Sequence, residues 1–240
     1  MLNTFVLIII DFTTTTYAYS IYKIDKKNSE KQTDIENDDF SFLITQIDEK
    51  IKDFQQLIKE LKRREAVLKK LSRVQKYIHM DIASDLDKVE KIAKETPLDI
   101  ETAAIVVSYA EKLDLKPSLI LAVIKLESNF NKYEVGEDND RGYMQIIPST
   151  EKWLAKKYGY KLGLKYNPKR IFEPEYNIGL GAIYLSILKE SYGENYNRIL
   201  SEYNRGPYNL REYYNKHKTY VTSYSRGVLR REKAFLVFND

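Results

Sequence analysis

The 240-residue chain contains no cysteine. Disulfides, thiolate metal sites and a cysteine nucleophile are therefore excluded, although the absence by itself fixes no compartment. Histidine is nearly as scarce, with only His79 and His217. A multi-histidine metal centre, or a triad with a histidine base, would have to use one of these two, and neither sits in a motif. No metal and no cofactor is expected. Charge of one sign is also in short supply, the net charge being +4. Residues 1–98 balance acid against base, and the small basic excess is scattered over residues 99–240. An excess so weak and so dispersed argues against nucleic acid as a partner. Glycine and proline are missing from residues 40–95, so nothing there punctuates a helix.

What is present begins with residues 1–22, "MLNTFVLIIIDFTTTTYAYSIY". The run Phe5–Ile10 is apolar and Asp11 interrupts it. A spanning helix needs about 20 apolar residues, so this stretch suits a signal-peptide core better, with Ala18 and Ser20 offering a cleavage site. No basic segment precedes it. Lys23, Lys26 and Lys27 follow it, and on the positive-inside rule they pull towards retention of the rest inside the cell. The alternative is a buried strand or helix. The segment is expected to be a signal peptide or membrane anchor, and the protein to be exported to the periplasm or cell envelope. Residues 23–39 are charged and aperiodic, a polar linker.

From Phe40 the spacing turns helical. Ile44, Ile47, Ile51, Phe54, Ile58 and Leu61 alternate steps of three and four among Glu, Lys and Arg. This heptad pattern predicts a long amphipathic helix over residues 40–95. Such a helix forms a coiled coil that self-associates or docks an envelope-assembly partner through residues 40–78, or else folds back on residues 75–95 as a hairpin. "TPLD" at 96–99 marks a boundary, with Thr96 a candidate cap and Asp99 well placed near a helix N-terminus. Residues 96–240 read as a compact, mostly helical domain. Its helices are predicted to about Leu113, from Pro117 or Ser118, and at about 148–158, 174–192, 194–204, 207–216 and 218–235.

The helix opened at Pro117 carries "LILAVIKLESNF" (119–130). Ile120, Val123, Ile124 and Glu127 share one stripe at i, i+3, i+4, i+7, so Glu127 falls on the core side. A carboxyl there, with no cation in reach, has its pKa raised by desolvation and can carry a proton near neutral pH. That is what protonation of a glycosidic leaving group needs. The competing reading has Glu127 facing solvent, or paired with Lys125 or Lys132.

The neighbouring motifs decide between the two. "ESNFN" (127–131) is followed by "GYMQIIPST" (142–150), "EPEYNIGLGAIYLSILKESYG" (173–193), "LSEYNRGP" (200–207) and "YSRGVL" (224–229). This ordered set, over about residues 99–235, resembles the soluble lytic transglycosylase family and its lysozyme-like domain. The resemblance implies a mainly α fold, with the lysozyme-like catalytic domain preceded by the long helix. It implies action on the glycan strands of peptidoglycan. It also implies roles: Glu127 as the single catalytic acid/base, Ser128 in orienting the sugar, and Met144 and Gln145 lining the cleft, with Gly142 allowing close approach. Tyr203 and Asn204 match a substrate-contacting motif, and Tyr224 matches a late tyrosine that bonds to the acid. In the family the acid protonates the glycosidic oxygen and then deprotonates the sugar's own 6-hydroxyl. The product is a 1,6-anhydro-muramyl end, formed without water. Fifteen of the twenty tyrosines follow residue 130, and tyrosine suits both sugar faces and sugar hydroxyls.

Two departures from the family pattern stand out. The family often carries small residues before G-x-M-Q, whereas here "GEDNDRGYMQ" places Glu137, Asp138 and Asp140 beside the site. Goose-type lysozymes resemble this fold and carry an acidic residue in the same loop, so hydrolysis by a second carboxylate is the alternative activity. These acids are otherwise a solvated loop or partners of Arg141. Glu202 stands where the family has a small or apolar residue, to modify the cleft or to face solvent. From another class, a non-catalytic peptidoglycan binder acting through its coil is the remaining alternative.

Overall fold

The computed structural model describes residues 37–75 and 82–239. Residues 1–22, most of the 23–39 linker and His79 lie outside the described residues. The chain divides into two compact units, residues 1–61 and 62–240. The described part of the first unit is the helix α1 (Asn37–Leu71) as far as Leu61. Along it Phe54, Leu57, Ile58 and Leu61 are exposed, so the apolar stripe read from the heptads faces outward.

The second unit holds the end of α1, then α2 (Ile82–Glu95), α3 (Ile100–Lys112), α4 (Pro117–Glu127), α5 (Pro148–Lys157), α6 (Pro174–Tyr192), α7 (Tyr196–His217) and α8 (Ser223–Glu232). A 3-10 segment, Lys233–Phe238, follows α8. Helix is thus not continuous over 40–95, and α1 ends at Leu71. Leu71 is buried in the core of this unit. After it, Arg73 and Val74 donate to carbonyls three residues back, and the Ser72 hydroxyl donates to Lys69 O. Bonds of this kind tighten and close a helix end. Because α2 packs on α3, the unit that contains the site starts at Lys62, earlier than the "TPLD" boundary. Asp99, not Thr96, caps α3, its side chain accepting from Thr102 N at 2.7 Å.

Two helices form the interior. Every residue of α4 from Ser118 to Ile124 is buried, as is every residue of α6 from Tyr176 to Ile183. A helix apolar on all sides belongs at the centre. Around α4 pack α8, the 233–238 segment and α3; against α6 pack α3, α5 and α7. Gly181 lets the Met144 side chain pack directly on α6, since a Cβ there would lie 2.4 Å from Met144 Sδ. The helical run Tyr196–His217 is bent at Gly206 (φ 72°, ψ 165°) before Pro207, so it is two helices in sequence, as the Gly-Pro pair predicts. The last helix begins later than the predicted residue 218, because Thr222 and Ser225 cap it reciprocally. Among the described residues only isolated bridges of β type occur, Val135 with Arg141 and Arg141 with Ile146.

Candidate active site

Glu127 is the last residue of α4. The helix that carries it is locked in the core, so its end is fixed in position. Glu127 is half-buried, and burial pushes its pKa up to about 7. A hydrogen bond from Tyr224 pulls the other way, and the charge of Asp140 adds a smaller upward push. The carboxyl-terminal end of a helix carries partial negative charge, which acts in the same upward direction. Neither candidate cation pairs with Glu127. Lys125 Nζ donates to Asn129 Oδ1 at 2.5 Å, and Lys132 lies over the Tyr133 ring.

Tyr224 stands in the first turn of α8, which packs on α4. Its hydroxyl donates to Glu127 Oε1 at 2.5 Å. Burial, then the charge of Glu127, holds the Tyr224 phenol well above its ordinary pKa. Tyr203 is raised by the same two causes in the same order. Both tyrosines remain neutral O–H donors around the acid.

The segment Gly142–Gln145 forms the wall beside Glu127, and side chains from three helices pin its backbone. Ser128 Oγ donates to Tyr143 O at 2.9 Å. Met144 N donates to Asn177 Oδ1 at 2.8 Å, and Tyr203 Oη donates to Met144 O at 2.9 Å. Asn177 also donates to Arg141 O at 2.8 Å. Gly142 has φ 77°, and a Cβ there would meet Asn177 Nδ2 at 2.4 Å, so glycine is required by both backbone and space. Asn129, Phe130 and Gln145 also take positive φ, a conformation side chains adopt only where the surroundings impose it.

This arrangement places the expected residues unequally. Glu127 and Tyr224 are brought together. Ser128 is buried, and its hydroxyl is used on Tyr143 O and Ile124 O. Met144 does not line a cleft: its side chain is fully buried against Gly181, and only its backbone serves the wall. Gln145 folds back, its Nε2 donating to Gly142 O and Glu134 O. Tyr203 is buried with its hydroxyl on Met144 O, while Asn204 beside it is exposed. Of the loop acids, Asp140 is the one whose charge reaches Glu127; Glu137 and Asp138 are exposed.

Arg141 pairs with none of these acids but with Glu151, at 2.8 Å. Glu151 is 1% exposed and also accepts from Tyr176 Oη at 3.1 Å. A buried carboxylate is tolerable when paired and hydrogen-bonded in this way. Glu202 does not face solvent. It is buried and accepts from Tyr192 Oη at 2.8 Å. Asn177 and Glu151 are the site-supporting residues that single-residue reading misses. Asn177 lies in the quoted stretch "EPEYNIGLGAIYLSILKESYG" (173–193), which is the one signal that points to it. Among the described residues no acid and histidine cluster suits a metal.

The family model for the transglycosylase SLT domain matches residues 105–225. The chain is 40% identical over 86 residues to a membrane-bound lytic murein transglycosylase C of Pectobacterium atrosepticum, covering 35% of this chain and 23% of the relative. It is 33% identical over 106 residues to the protein of that name from Actinobacillus pleuropneumoniae, covering 40% and 28%. The chain thus spans about a quarter of the length of these relatives. A solved lytic transglycosylase Slt from Pseudomonas aeruginosa aligns at 23% identity with a TM-score of 0.48, covering 62% of this chain and 27% of that one.

Proposed function

Because the chain belongs to the transglycosylase SLT domain family, we propose that it is a peptidoglycan lytic transglycosylase acting on the β-1,4 bond between MurNAc and GlcNAc. The observation that carries this reading is Glu127: a carboxyl whose pKa is raised by burial to about 7, fixed at a helix end and held by the Tyr224 hydroxyl. In the proposed reaction Glu127 gives its proton to the glycosidic oxygen as the bond from that oxygen to the anomeric carbon breaks. The resulting carboxylate then takes the proton of the same sugar's 6-hydroxyl, whose oxygen bonds to the anomeric carbon. The acid is regenerated, no water is consumed, and one product end is 1,6-anhydro-MurNAc. A pKa near the working pH suits a group that must act first as acid and then as base.

A second reading, inverting hydrolysis, rests on Asp140. Its charge is felt by Glu127, so it is the loop acid positioned to act on a water. A third, a binder without catalysis, leaves the raised pKa of Glu127 without a use. Mass spectrometry of fragments released from purified peptidoglycan by the full chain separates all three. Anhydro ends, absent with Glu127→Gln, support the transglycosylase. Reducing ends, lost in Asp140→Asn, support hydrolysis, and no fragments leave the binder.

The proposed location is the cell envelope. It rests on the hydrophobic start of the chain and on relatives named as membrane-bound. The outward apolar stripe on α1 supports self-association through that helix.

A further inference from the structure

We propose that the outer face of α5 is an auxiliary substrate subsite. There Trp153 carries a sugar ring of the glycan strand, and Lys152, Lys156 and Lys157 hold carboxylates of the peptide attached to it. The proposal rests on the transglycosylase reading above, because it names the part of that substrate bound away from the cleaved bond.

The chain has a single tryptophan, and it is 41% exposed. Tryptophan offers the largest apolar area of any side chain. Its exposed part is flat apolar surface that the ring face of a ligand can cover. Trp153 is also held in place. Its ring makes perpendicular contacts with Tyr158 at 5.4 Å and with Tyr184 at 5.8 Å. A ring already fixed loses little freedom on binding.

Trp153 lies in a depression of about 580 Å³ whose other lining residues are Ser149, Lys152, Lys156 and Lys157. Steps of three and four along the helix put Ser149, Lys152, Trp153 and Lys156 on one face, while Glu151, Leu154 and Ala155 face the core. Among the described residues none of the three lysines is in an ion pair. Two lie over tyrosine rings instead: Lys156 over Tyr166 at 5.8 Å and Lys157 over Tyr158 at 5.2 Å. An exposed aromatic face ringed by uncompensated cations matches a ligand with apolar ring faces and carboxylates. A glycan strand with acidic peptides has both.

The depression is joined to the acid. Tyr184 contacts Trp153 on one side and Tyr203 on the other, at 5.3 Å. Tyr203 lies close enough to Glu127 to feel its charge. A continuous run of aromatic rings therefore leads from the depression to the catalytic wall.

The test is binding of the full chain carrying Glu127→Gln to insoluble peptidoglycan, measured by pelleting, so that no substrate is consumed. Two further changes are compared in that background: Trp153→Ala, and Lys152→Glu, Lys156→Glu and Lys157→Glu together. The lysines are exposed, so the charge reversal reads binding even if loss of Trp153 disturbs packing. Binding of the same proteins to the soluble, peptide-stripped glycan strands released from peptidoglycan by an amidase is measured by titration calorimetry. The charge reversal is expected to weaken binding to intact peptidoglycan by about fivefold or more and binding to stripped glycan by under about twofold. A folded Trp153→Ala protein is expected to weaken both by about fivefold.

The proposal is overturned by charge-reversed protein that binds intact peptidoglycan within about twofold of its parent, or loses equally on stripped glycan. It is equally overturned by a parent that does not bind. Fragment release by the chain with Glu127 intact is scored separately. Fragments with no effect of the α5 changes sink the subsite alone; the expected binding pattern without fragments sinks the enzyme reading alone.

Discussion

The hydrogen bond from Tyr224 to Glu127 makes a prediction whose sign is fixed by the structure. The hydroxyl stabilises the charged form of the acid, so Tyr224→Phe raises the Glu127 pKa further above about 7. A hydrogen bond to a charged group contributes about 1.5–3 kcal/mol. At about 1.4 kcal/mol per unit, the rise is about one to two units. The acid must start protonated, so activity falls as pH climbs through its pKa. The alkaline limb of kcat/KM, expected near pH 7 in the parent if Glu127 is the titrating acid, should therefore move to higher pH in Tyr224→Phe. Asp140→Asn removes a like charge and moves the limb to lower pH, by less, because Asp140 is the smallest of the three influences. The ceiling of the Tyr224→Phe profile also drops, since the hydroxyl orients the carboxyl, but the limb's position reads the pKa alone. The assay is release of soluble fragments from peptidoglycan between pH 4 and 10. A Tyr224→Phe limb that stays in place or moves towards acid refutes the assignment of Glu127 as the titrating acid.

Glu127→Gln should stabilise the fold in alkaline solution. The folded pKa of about 7 lies above the 4.5 of an ordinary glutamate, so the native state loses stability as pH rises from about 4.5 to about 7 and stays penalised above that, by about 3–4 kcal/mol. Thermal melts should show the variant ahead of the parent at pH 8 and level with it at pH 4; parity at pH 8 would count against a buried, strained acid. Asn177→Ala strips the partner from Met144 N and removes one of the two donors to Arg141 O, which keeps Ile146 N; the one unpaired buried group should cost about 1–3 kcal/mol in denaturant unfolding, with activity lost beyond what stability explains. Phe54→Lys with Leu57→Lys breaks the outward stripe of α1; sedimentation should report a smaller mass than the parent's, and an unchanged monomer in both would end the self-association proposal.

Glu127 is legible in the sequence because an acid at i+7 of an apolar stripe is an anomaly that one turn of helix reveals. Helix ends marked by Gly206-Pro207 or Pro174 are legible for a similar reason, as their chemistry is local. The clamp on Gly142–Gln145 is not, because its three side chains come from positions 15, 33 and 59 residues away from the groups they hold. Nothing in residue type tells whether a serine or tyrosine near a site serves a ligand or a backbone group. Glu151 is hidden for a related reason. An acid in the first turn of a helix reads as a solvated partner of the helix dipole, and only the fold brings Arg141 and Tyr176 to it. The break of α1 at Leu71 escapes notice because no glycine or proline marks it; the helix end is closed instead by the Ser72 hydroxyl and by backbone bonds to carbonyls three residues back.

The division of labour among the motif residues follows from these contacts. Tyr224 acts on the carboxyl of Glu127, the proposed acid, whereas Ser128, Asn177 and Tyr203 act on the wall, each through one backbone atom of Tyr143 or Met144. A segment with positive φ at Gly142 and Gln145 does not hold its shape unaided. Side chains from α6, from α7 and from Ser128, the residue that caps α4 directly after the acid, hold it, so the wall is tied to the end of the helix that carries the acid. That coupling explains why motifs scattered over a hundred residues belong to one site with so few groups placed for chemistry. It also separates the two classes of variant. Loss of a clamp should lower stability and activity together, whereas loss of Tyr224's hydroxyl should shift the pH profile while leaving the clamp intact.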